Sequence, residues 1–108
     1  MTDDELTDAW GAVLGWALTH DEHLRIAYVL IQRHGKQEAR QRLLAGTEAN
    51  CAAMDAADRF DSDLTERWSD HLADLVAAEE PSSFAAMQEQ HPELTQSDLL
   101  GRPSWKRT

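Results

Sequence analysis

Thr19-His20-Asp21-Glu22-His23-Leu24-Arg25-Ile26-Ala27-Tyr28-Val29-Leu30-Ile31-Gln32-Arg33-His34-Gly35 contains a helix start, an apolar interior and a helix stop in one stretch. Thr19 with Glu22 three residues later is a capping box, in which each side chain satisfies the other residue's backbone amide. Gly35, after the basic pair Arg33 and His34, reads as the C-terminal stop. Between them, Ile26 to Ile31 is apolar on nearly every side, the pattern of a helix in the middle of a bundle. Its β-branched content also admits a buried strand. The capping box and Gly35 favour the helix.

The same signals recur outward along the chain. Thr2 and Glu5 form a first capping box, and Leu6, Trp10, Val13, Leu14 and Ala17 follow at helical spacing. Gly11 and Gly15 share the opposite side of that helix, where a partner helix would fit closely. A third helix is expected from about Lys36 towards Ala57, with Ala39, Leu43, Thr47, Cys51 and Met54 on one stripe and a bend at Gly46. A fourth starts near Asp61–Asp63, with Asp63 and Glu66 as a further capping box, and carries Leu64, Trp68, Leu72, Leu75 and Val76. Pro81 and its neighbours break it, and Ser82 or Ser83 caps a short fifth helix bearing Phe84 and Met87. The expectation is an all-α fold, a compact bundle of four to six helices with a buried central second helix. One helical domain covers 1–101, and 102–108 forms an irregular tail.

Composition limits the function. The chain has 108 residues, 42% hydrophobic and 28% charged, as in an ordinary soluble globular domain. No apolar run approaches the ~18 residues of a membrane span. The acidic opening at Asp3, Asp4 and Glu5 is unlike a secretory signal, and a single cysteine, Cys51, cannot form an internal disulfide. The expected location is cytoplasmic. With 20 acids against 10 bases, the net charge of −10 repels nucleic acid and anionic membranes. Arg25, Arg33, Lys36, Arg40 and Arg42 nevertheless cluster in the middle. They suit a solvated helix face, an anionic ligand or the acidic face of a second copy. With the glycine pair of the first helix, this leads to an expected homodimer. Eight of the ten bases are arginine and alanine is abundant, a bias of GC-rich bacterial genomes.

His20 and His23 are the residues with the most chemistry to offer. Three apart on the first helical turn, they can converge on one point. The positive end of the helix dipole disfavours imidazolium there, and neutral imidazole is the form that binds metal or acts as a base. Of the other histidines, His34 sits at a helix stop and His91 in an exposed turn before Pro92. His71 shares the apolar stripe of the fourth helix and competes with Asp61 for the third place. Those two are ten residues apart, about 15 Å on one helix, so both cannot meet one metal.

The segment from Trp16 to Leu24, continued by Arg25, Ala27, Leu30 and Gly35, resembles a group of small, functionally uncharacterised bacterial proteins. Their shared pattern is His-x-x-His-Leu followed by aromatic-His-x-Thr-aliphatic-Thr. Here Phe60-Asp61-Ser62-Asp63-Leu64-Thr65 stands at the second motif, with Asp61 in place of histidine and Asp63 in place of threonine. The resemblance, over roughly residues 16–104, implies that Asp61 rather than His71 joins His20 and His23. Two histidines and a carboxylate suit a divalent transition metal such as iron, zinc or copper, or a metal-free polar pocket.

The expected function is a small enzyme whose His20/His23/Asp61 pocket acts on a small, partly apolar substrate lined by Trp16, Tyr28, Thr65 and Trp68. The alternative is a non-catalytic helical module for dimerisation or protein interaction through an acidic surface. Cys51 sits mid-stripe, so nucleophilic catalysis has no support.

Overall fold

A computed structural model of the chain describes residues 2–12, 18–96 and 99–101. Among the described residues five α-helices follow in order: α1 (Asp3–Ala12), α2 (His20–His34), α3 (Lys36–Ala53), α4 (Ser62–Glu79) and α5 (Phe84–Gln90). Short 3₁₀ turns cover Ala57–Arg59 and Pro92–Thr95. No strand occurs among the described residues, so the fold is an all-α bundle. The tail 102–108 and Val13, Leu14, Gly15, Trp16 and Ala17 lie outside the described residues.

The deciding stretch folds as its sequence dictates. Thr19 Oγ1 accepts from Glu22 N at 3.2 Å, and the Glu22 carboxylate accepts from Thr19 N at 2.9 Å. Gly35 ends α2 with φ 83° and is also the residue before α3, so one residue turns the chain. A side chain is strained at that φ, which is why glycine stands there. Leu24, Ile26, Ala27, Tyr28, Val29, Leu30 and Ile31 are all buried, because α2 packs against α1, α3 and α4 together. Burying each large apolar side chain stabilises the fold by roughly 1.5–3 kcal/mol before entropy is counted.

The box at Thr2 and Glu5 also forms, with both bonds at 3.1 Å. At α4 the cap lies two residues earlier than the Asp63/Glu66 box: Asp61 Oδ1 accepts from Leu64 N at 2.9 Å, while Asp63 is exposed. Ser83 caps α5. α3 ends at Ala53 rather than near Ala57, where Asp55 takes a left-handed conformation with φ 58°.

Gly46 does not interrupt α3. A Cβ there would run into the indole of Trp10, so the glycine makes room for the ring that α1 inserts against α3. Gly11 has open space around it.

Ion pairs fix the remaining directions. Lys36 meets Asp74 at 2.9 Å and Arg40 meets Asp70 at 3.3 Å, so α3 and α4 run antiparallel. Arg25 bonds Asp3, Arg33 bonds Asp4 and Asp8, and Arg42 bonds Glu38. The central basic cluster is therefore neutralised by the chain's own acids, and is not a bare anion-binding face. No helix among the described residues is long and apolar enough to cross a membrane.

Candidate functional site

His20 is the first residue of α2, and its ring meets Trp68 of α4 edge-on, with centroids 4.7 Å apart and an interplanar angle of 67°. Its Nε2 lies 2.9 Å from the carbonyl oxygen of Leu94. A carbonyl only accepts, so Nε2 carries the hydrogen, and in the neutral ring the lone pair sits on Nδ1. The turn Pro92–Thr95 is thereby tied to the start of α2, with Leu94 fully buried beneath it.

His23 is held by its own helix start. Its Nδ1 donates to the Thr19 carbonyl at 3.0 Å, the same carbonyl that receives the His23 amide. The lone pair of the neutral ring is then on Nε2. Burial pushes this imidazole below the usual histidine range; the Thr19 bond opposes that shift, and the nearby His20 reinforces it. The ring is therefore neutral at pH 7, and the largest cause is desolvation.

Asp61 opens α4. Its carboxylate caps α4 through Leu64, and its carbonyl accepts from the Thr65 amide and from Thr65 Oγ1 at 2.8 Å. Thr65 thus closes the first turn of α4. Among the described residues, no three His, Cys, Asp or Glu side chains form a group that could hold a metal ion. Tyr28 is buried against Phe84, with centroids 5.9 Å apart and its hydroxyl towards the Pro81 carbonyl. Trp16, also expected to line the pocket, lies outside the described residues.

His71, which the resemblance passes over in favour of Asp61, packs on Trp68 with centroids 6.2 Å apart. One indole therefore touches both His20 and His71. Nε2 of His71 is buried and has no hydrogen-bond partner among the described residues. Its charge, when present, lowers the pKa of Glu93 in the Pro92–Thr95 turn, as a minor cause beside the backbone and His91 bonds. The signal was in the sequence. Trp68 and His71 are three apart and share a helix face.

His91, expected to be exposed, is four-fifths buried and bridges two acids. Nε2 lies 2.8 Å from Glu79 and Nδ1 lies 3.0 Å from Glu93. Glu79, then Glu93, push its pKa up. His34 pairs with Glu38 at 2.8 Å.

Comparison with protein-family models, with curated proteins and with solved structures finds no match to this chain.

Proposed function

We propose that the start of α2 is the functional site of a small enzyme, where His23 takes a proton from a small, partly apolar substrate. The observation that supports this most is the state of His23: a partly desolvated, neutral imidazole whose Nδ1–H is spent on Thr19, leaving Nε2 as acceptor. A base works best when its acceptor atom is fixed and it is unprotonated at working pH. His20 and Trp68 form the adjoining wall, and His71 brings a second imidazole to the same indole. In this reading Asp61 organises α4 rather than reacting, and any divalent metal would meet the two imidazoles with the rest of its shell from water or substrate.

A second reading, a non-catalytic helical interaction module that self-associates, is favoured by one specific observation. The polar atoms of His20 and Asp61 that are accounted for serve packing: one ties Leu94, the other caps α4.

The two separate in one experiment. Imidazole NMR signals of the full chain are followed against a set of small aromatic acids and amides, and against zinc ion. Selective movement of the His23 and His20 resonances, lost in a folded His23→Ala protein, supports the enzyme site. Unmoved imidazoles, together with a concentration-dependent dimer in light scattering, support the module.

A further inference from the structure

The Pro92–Thr95 turn reaches the bundle through two histidines of opposite character. At one end Leu94 offers its carbonyl to His20. At the other, His91 stands between Glu79 at the end of α4 and Glu93 in the turn itself. Carboxylates at pH 7 accept and do not donate, so both ring nitrogens of His91 must carry hydrogen for both contacts to be hydrogen bonds. Only the imidazolium satisfies that. A neutral ring keeps one of the two bonds and turns a lone pair towards the other carboxylate.

We propose that Glu79, His91 and Glu93 form a proton-operated clamp that seats the Pro92–Thr95 turn, and with it Leu94, against His20 at the start of α2. The proposal rests on the functional reading above only for what the turn covers. The clamp is a property of the fold whether or not His23 is a base.

The surroundings of His91 are consistent with this role. α4 presents Glu79 to it and the turn presents Glu93, on which the charge of His71 of α4 also acts weakly. The one titratable residue of α5, Glu89, is exposed. The His91 amide is bonded to Met87 and the Leu94 amide to the His91 carbonyl, so movement of His91 is passed directly along the turn. Leu94 is fully buried, which keeps the turn seated most of the time even when His91 is neutral. Loss of the charge loosens the seat without detaching it.

Amide hydrogen exchange on the full chain without ligand tests this. Protection at Leu94 and Gln96, corrected for intrinsic exchange rates, should fall about threefold to fivefold between roughly pH 6 and pH 8.5, the size of a partly exposed ion pair. His91→Gln should give the low protection at both ends of that range. Glu79→Gln, which leaves an acceptor but removes a charge, should move the transition to lower pH, and it serves as the variant if His91→Gln does not fold. Protection that is flat with pH in the unmodified protein overturns the clamp, as does a pH response that survives in His91→Gln. Failure of ligands to reach His23 while this response persists would count against the enzyme site alone.

Discussion

The imidazole of His20 stands edge-on against the indole of Trp68, with centroids 4.7 Å apart, and this contact joins the first residue of α2 to the second turn of α4. It sets the geometry of the whole corner. α2 and α4 bring their early turns together while α3 returns antiparallel to α4. The Pro92–Thr95 turn then closes on the same corner through Leu94.

Gly46→Ala should destabilise the protein, although alanine is the better helix former by about 1 kcal/mol. The added methyl enters the space of the Trp10 ring, and overpacking of this kind costs roughly 1–3 kcal/mol. Urea unfolding measures the sign directly. Gly11→Ala, with open space around it, is the control and should be neutral or stabilising.

Asp61→Ala should cost about 0.5–2 kcal/mol, the usual loss on removing an N-cap. It should leave the titration of His23 where it is. A displaced His23 titration in that variant would place Asp61 within electrostatic reach of the His23 ring.

His71→Leu should lose little stability, because the substitution removes a buried nitrogen that has no partner among the described residues and keeps the bulk against Trp68. Satisfied polar groups behave differently, since removing one partner leaves the other stranded. If the variant folds as well as the parent but binds small aromatic acids or amides more weakly, His71 belongs to the site's wall.

Stability should pass through a local maximum near pH 6.5, the ordinary imidazole value, because His91 and His23 shift in opposite directions. The folded pKa of His91 is raised, so its contribution is complete below 6.5 and is lost as pH rises through the folded value. The folded pKa of His23 is lowered, so the unfolded chain takes up the proton first. Stability therefore falls as pH drops from 6.5 towards the folded value. Chemical denaturation at a series of pH values reads both limbs. His91→Gln should flatten the upper limb and leave the lower one.

The helical bundle was legible because its signals are local. The capping boxes at Thr2 and Thr19, Gly35 and the apolar run at Ile26–Ile31 each act within a few residues, and each formed where its chemistry requires. Where two local signals competed, the sequence was less decisive. Asp61 and Asp63 both suit a cap, and only the backbone entering α4 selects Asp61. Gly46 looked like a weak point because its partner, Trp10, is far away in sequence. The same holds for the residues of the candidate site. His20 and His23 share a turn, so their closeness follows from helix geometry, but the Leu94 carbonyl that meets His20 arrives from 74 residues away. Nor did the spacing of the basic residues reveal that α1 and α4 carry acids to meet them.

The central claim, that α2 opens on a neutral imidazole with its Nε2 free to accept, is tested most directly by nitrogen-15 NMR of the histidine rings at pH 7. The prediction is a neutral His23 with hydrogen on Nδ1, a titration below the ordinary histidine range, and a His20 whose hydrogen is on Nε2 when neutral. A His23 that is charged at pH 7, or neutral with its hydrogen on Nε2, would contradict the account.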